Sequence, residues 1–158
     1  MQRSADTPAI AMQVTRGVVM ASIQVDLTDE VLGRFRDDLL RRIEETACHG
    51  AIFDLSGLLV LDSHEFAALR KIMTMSDIMG ASPVLVGLRP GVVSALVEAG
   101  ANVDDIQAAS SLDAAFALLE VQPMPQAALT DETEEAAAEA RSEIETDARR
   151  PQPLAGDI

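Results

Sequence analysis

Residues 51–63 read AIFDLSGLLVLDS. Ala51–Leu55 is short, apolar and carries one acid, Asp54, near its end, the pattern of a strand buried on both faces. Ser56–Gly57 interrupts it, and a second apolar run, Leu58–Leu61, leads to Asp62–Ser63. Either Asp62 or Ser63 can cap a helix, because both side chains accept from the free backbone N–H groups of a first helical turn. A buried strand, a short loop and a capped helix in succession make the repeating unit of a parallel α/β sheet.

The same unit recurs on both sides. Upstream, Ile10–Val14 and Val18–Val25 read as strands joined by a tight turn at Arg16–Gly17. Thr28 or Asp29 can cap the next helix. Its inward positions are Val31, Leu32, Phe35, Leu39, Leu40 and Ile43, and Arg34, Asp37, Arg41 and Glu45 face out. The helix is expected to stop near His49–Gly50, with glycine in the left-handed position. Downstream of Ser63 a long helix runs to about Met79, with Phe66, Leu69, Ile72, Met73 and Ile78 as core positions and Gly80 as its terminator. Pro83–Val86 is another buried strand. Arg89–Pro90 opens a helix, since proline suits a first turn; Val92, Val93, Leu96 and Val97 pack it and Gly100 ends it. Ile106–Ala108 is a short last strand. Ser110 or Ser111 caps a final helix through Glu120, with Leu112, Ala115, Phe116 and Leu119 inward. The predicted order is β-β-α-β-α-β-α-β-α: an α/β fold, mainly parallel, with an initial hairpin and about four helices.

Residues 1–8 read as a flexible lead and residues 9–120 as the domain. Pro123 and Pro125 mark a boundary near Val121, after which composition shifts to Ala, Glu and Thr. Residues 121–158 lack an apolar stripe at helical spacing and read as an acidic tail, solvated helix or disordered. The tail carries −6 of the net charge of −14, leaving −8 for residues 1–120. Both parts repel a nucleic-acid backbone, so nucleic-acid binding is not expected, and basic protein surfaces suit the chain better. A single cysteine, Cys48, excludes an internal disulfide and fits a reducing compartment. No run reaches the roughly 18 apolar residues that span a bilayer. The expectation is a soluble cytoplasmic protein without membrane contact.

Enzyme chemistry has few footholds. Cys48 and His49 supply too few ligands for a metal site and read as surface residues at a helix stop. Ser63, His64 and Glu65 have the composition of a hydrolytic triad, but consecutive helical residues point in different directions. No phosphate-binding or dinucleotide-binding glycine motif is present, and the only lysine, Lys71, lies inside a helix. Neither cofactor nor metal is expected. Ser63 remains, as a helix cap or as a phosphate acceptor. A helix N-terminus favours negative charge, so a phosphate there would add roughly −1.5 to −2 charge to a surface without unfolding the domain.

Over residues 9–120 the chain resembles the STAS domain family (sulfate transporter and anti-sigma factor antagonist), most nearly the RsbS-type scaffold of bacterial stressosomes. The resemblance rests on residues 19–24 (VMASIQ), 53–57 (FDLSG), 61–63 (LDS), 73–81 (MTMSDIMGA), 86–90 (VGLRP) and 96–100 (LVEAG), in this order and spacing. It implies that Ser63, directly after Asp62, is the phosphoacceptor. It also implies an RsbT-type serine/threonine kinase held by the unphosphorylated scaffold and released on phosphorylation. It further implies a serine phosphatase that resets the site, and sensor paralogues that join the scaffold in a homo-oligomer or large hetero-assembly. Sensor paralogues carry a threonine where this chain has Val86, which favours the scaffold type, as does a sheet that begins near Ile10. His64–Glu65 is more polar than the family pattern at that place.

Partner contacts are expected at Asp54 and Ser56 on the strand end, at Asp62 and His64 beside Ser63, and at Arg89 on the neighbouring loop, where open α/β sheets present functional groups. Arg89 could pair with the phosphate, with a partner carboxylate, or with solvent alone. Three other readings stay open: a single-domain antagonist that binds an anti-sigma kinase directly, a small hydrolase using Ser63 and His64, and a ligand-binding module.

Overall fold

A computed structural model describes residues 8–121. Five strands form one sheet in the order β1-β2-β3-β4-β5. β1 (Ala11–Thr15) and β2 (Val18–Ser22) make an antiparallel hairpin, and their turn places Arg16 and Gly17 at φ 53° and 70°. Positive φ at both central residues matches the twist of the paired strands. β3 (Gly50–Asp54), β4 (Ser82–Val86) and β5 (Ala108–Ala109) continue the sheet in parallel from β2. Helices α1 (Asp29–Thr46), α2 (Ser63–Ile78), α3 (Pro90–Glu98) and α4 (Leu112–Val121) complete the order expected from the sequence.

The pleat sorts the strands' side chains onto two faces. Val19, Ala21, Ala51, Phe53 and Leu85 face one way and join Phe35 and Leu39 of α1, Phe66 and Leu69 of α2, and Val92 and Leu96 of α3 in the larger core. Phe53 is fully buried there, edge-on to Phe35 with ring centroids 6.0 Å apart. Val18, Ile52, Val84 and Val86 face the other way and pack under Ala115 and Leu119 of α4. Because β3 is covered on both faces, it reads as an unbroken apolar run.

Several local expectations are corrected. α1 is capped by Thr28, whose hydroxyl accepts from the Val31 N–H, and its inward stripe is Val31, Leu32, Phe35, Leu39 and Ile43, with Leu40 half-buried. It ends three residues early, at Ala47, which takes the left-handed position (φ 49°) expected of glycine. Gly50 instead opens β3. A Cβ there would lie 2.6 Å from Leu119 Cδ1, so glycine is what lets α4 lie close on the sheet. The early stop carries Cys48 inward. It is 4% exposed, with its sulfur 2.9 Å from Thr46 Oγ1, and is no surface residue.

Ile78 is 81% exposed, and Ser76 takes the inward place on α2, its hydroxyl donating to the Met73 carbonyl at 2.7 Å. That bond matters because an unpaired buried hydroxyl costs about 1–3 kcal/mol. Val93 and Val97 are exposed on α3, where only Val92 and Leu96 are buried. On α4, Ser111 caps by accepting from the Ala114 N–H, Leu112 faces solvent and Phe116 is half-buried. Of the expected tail, residues 121–158, Val121 ends α4 and residues 122–158 lie outside the described residues.

Candidate functional site

The parallel strands all end on one side of the sheet, and three loops meet there. After Asp54 the ladder continues for one more bond on each side: Ile23 N–H donates to the Asp54 carbonyl and Leu55 N–H to the Val86 carbonyl, both at 2.9 Å. Asp54 Oδ1 then accepts from the Ser56 N–H at 3.0 Å, turning the chain. From the next loop, Arg89 donates through Nη2 to the Ser56 carbonyl at 3.1 Å, with Nε at 3.4 Å. Gly87 sits between them at φ 78°, and a Cβ on it would fall 2.7 Å from Ser56 N and 2.9 Å from Asp54 Oδ1. Asp54, Ser56 and Arg89, named separately from the sequence, therefore form one junction between the β3–α2 and β4–α3 loops. The Arg89 guanidinium is used on backbone within the chain.

α2 starts at the far end of the same loop. Asp62 is its cap: Oδ1 accepts from the Glu65 N–H at 2.7 Å, and Glu65 Oε2 accepts from the Asp62 N–H at 3.0 Å. This reciprocal pair satisfies two otherwise orphaned donors. It also resolves the choice left by the sequence. Asp62 caps the helix, and Ser63 stands at its first position, exposed, its hydroxyl without a partner among the described residues. The first intrahelical bond, Phe66 N–H to the Asp62 carbonyl (2.9 Å), leaves the N–H groups of Ser63 and His64 at the open end of the helix.

His64 turns away from Ser63. Its Nε2 lies 3.3 Å from Asp29 Oδ1 at the start of α1, and both side chains are exposed. Ser63 and His64 thus do not form a nucleophile–base pair. Among the described residues no group of three or more His, Cys, Asp or Glu could hold a metal ion. No described helix is long and apolar enough to cross a membrane.

Two cations that were not among the expected site residues lie in a cleft with Ser63. Ser63, Arg70, Lys71, Thr74 and Asn102 line an open cleft of about 290 Å³. Arg70 lies two helical turns from Ser63 on the same face, a spacing of seven that helical periodicity makes legible. Its Nη2 donates to the Asp104 carbonyl at 3.2 Å and ties α2 to the loop after α3.

The STAS domain family model matches residues 9–115, and the chain belongs to the STAS domain family. Among solved structures, a serine-to-glutamate variant of RsbS from Moorella thermoacetica is 25% identical, with a TM-score of 0.61, over 70% of this chain and 94% of that one. A structure describing the molecular architecture of the stressosome, a signal integration and transduction hub, is 26% identical, also at TM-score 0.61, over 70% of this chain and 96% of that one. The unphosphorylated anti-sigma factor antagonist SpoIIAA shares the fold at 18% identity and TM-score 0.53, over 72% of this chain and all of the other. Among curated proteins no match is found.

Proposed function

We propose that this protein is a phosphorylation-controlled scaffold of a stressosome-type assembly, a binding module rather than an enzyme, with Ser63 as its switch. Unphosphorylated, it holds an RsbT-type serine kinase; phosphate on Ser63 releases that kinase, and a serine phosphatase restores the first state. Residues 9–120 form the binding module, and residues 121–158 an acidic extension of it. The observation that carries the reading is the division of labour at α2. Asp62 performs the capping, which leaves the Ser63 hydroxyl exposed and unpartnered at the end of a helix that favours anions. The likeness to RsbS and to a stressosome component over nearly their whole length supports the same assignment.

Chemistry at this place changes a surface. A phosphate on Ser63 would add roughly −1.5 to −2 charge beside Asp62 and Glu65. A kinase face packed closely over this helix start would have to desolvate the added charge, which weakens the contact. Asp54, Ser56 and Arg89 serve by holding the loop that leads to Ser63, and Asp62 and His64 border the acceptor.

The test is intact-mass and peptide mass spectrometry after incubation with ATP and the RsbT-type kinase of the same genome, on wild type and Ser63→Ala. One phosphate mapped to Ser63 and absent from the variant is the expected result. No phosphate, or phosphate elsewhere, refutes the switch and reduces Ser63 to a helix-start residue. Size measurement in the presence of sensor paralogues then separates a large assembly from a small antagonist acting alone.

A further inference from the structure

Between the Asp54–Ser56–Arg89 junction and the Asp62 cap runs the sequence Leu58-Leu59-Val60-Leu61, and the structure divides it sharply. Leu58 and Leu61 are buried at 7% and 3% exposure, whereas Leu59 and Val60 are exposed at 72% and 78%. The extrusion is built in. Leu58 N–H donates to the Leu55 carbonyl at 3.0 Å, and Asp62 N–H is held by Glu65, so the loop is pinned at both ends. With its outer residues buried as anchors, the inner two have nowhere to go but outward. Single exposed apolar residues are ordinary. Two adjacent ones, held out by a braced loop and ending three residues before an exposed acceptor, form a defined feature.

We infer that Leu59 and Val60 are the apolar anchor by which the kinase acting on Ser63 docks. This deepens the function proposed above and rests on it. The choice of occupant follows from position. Three residues of chain span at most about 11 Å, so Val60 lies within that distance of Ser63. A standard interface covers about 800 Å² on each partner, a patch of roughly 16 Å radius. A protein that brings a phosphoryl donor to Ser63 therefore overlies Leu59 and Val60 as well. The border of the patch is acidic, with Asp62 and Glu65 beyond it. The matching kinase surface is an apolar socket, and a phosphate introduced beside it would have to be desolvated for the kinase to stay seated. Apolar anchors at an interface centre act mainly on dissociation, and rim charges act on association and on salt dependence.

The experiment measures kinase binding by surface-immobilised kinetics at two salt concentrations for wild type, Leu59→Ser, Val60→Ser and the double variant. Ile78→Ser serves as control: Ile78 is just as exposed, at 81%, but lies at the opposite end of the 16-residue α2, about 22 Å along its axis. All variants are checked for unchanged thermal unfolding, expected because the replaced side chains are exposed. The double variant should raise Kd by about tenfold or more, chiefly through faster dissociation and equally at both salts, with Ile78→Ser within about twofold of wild type. If wild type binds and is phosphorylated on Ser63 but the double variant binds as well as wild type, the anchor is refuted and the switch stands. An equal loss in Ile78→Ser also refutes it, because the effect would then be general apolar adhesion. Wild type that neither binds the kinase nor takes phosphate overturns the switch and the anchor together.

Discussion

Gly87 offers the sharpest test of how the site is held. Gly87→Ala places a methyl group 2.7 Å from Ser56 N, 2.8 Å from Ser56 Cβ and 2.9 Å from Asp54 Oδ1, in a backbone at φ 78°. Two costs arise. The left-handed conformation costs an L-residue about 1–2 kcal/mol over glycine. The close approach adds about 1–3 kcal/mol, the range for forcing atoms into a packed site, because the nearest atom is backbone and cannot swing aside. Gly100 separates the two. It has φ 69°, nearly the same conformation, but nothing lies within 4 Å of its would-be Cβ. Gly100→Ala should therefore lower stability by about 1–2 kcal/mol and Gly87→Ala by about 2–5 kcal/mol, so that Gly87→Ala is the worse by about 1–3 kcal/mol. Urea unfolding of both variants at one temperature, with unchanged m-values, measures the difference. Variants that agree within about 0.5 kcal/mol, the usual limit of additivity, would refute the argument that the β4–α3 loop lies against Ser56.

Asp62→Ala removes the side-chain acceptor of the capping box and should cost about 1 kcal/mol in urea unfolding, with Glu65→Ala costing less because Asp62 still caps the helix. On α1, the Asp37 carboxyl is held below its ordinary value of 3.8 chiefly by the side-chain hydrogen bond from Arg36. A depressed carboxyl contributes stability that is complete above its unfolded value and disappears as pH falls through the folded one. An NMR pH titration should show Asp37 below 3.8 in wild type and shifted upward in Arg36→Gln, and an unshifted Asp37 in the variant would overturn that cause.

Element order was legible because each strand and helix keeps its own period. The hairpin, the buried run at residues 51–55 and the α1 stripe all follow from spacing alone. On α2 and α3 the expected core residues that fall outside the core are apolar but out of phase with the packed face. On α2 the inward positions Phe66, Leu69, Met73 and Ser76 step by three and four, and Ile78 lies two residues beyond, about 200° around the helix. Phase names Ser76, and only its hydrogen bond to Met73 makes a hydroxyl acceptable there. On α3, Val93 and Val97 are each one residue past the buried Val92 and Leu96, about 100° off the packed face. Of the candidate site, Asp62 and Ser63 could be located but not ranked, because both are cap residues. The junction at Ser56 was out of reach, since it depends on a glycine and an arginine more than thirty residues further along the chain.

The ranking of Asp62 over Ser63 governs what modification can do. If Ser63 were the cap, esterifying its hydroxyl would disturb the group on which the helix start depends, and the switch would act by loosening the fold. With Asp62 as cap, the first turn keeps its two reciprocal hydrogen bonds whatever happens at the next residue. The helix dipole favours a phosphate there by about 0.3–1 kcal/mol, the neighbouring acids oppose it, and Arg70 and Lys71 line the same cleft, so within the domain the phosphate meets charges of both signs. Across a packed interface it must also give up its water. A docked surface must meet the new charge directly, at a separation inside the screening length of about 8 Å. A serine placed beside the cap, rather than at it, thus suits release of a partner by a domain that stays folded.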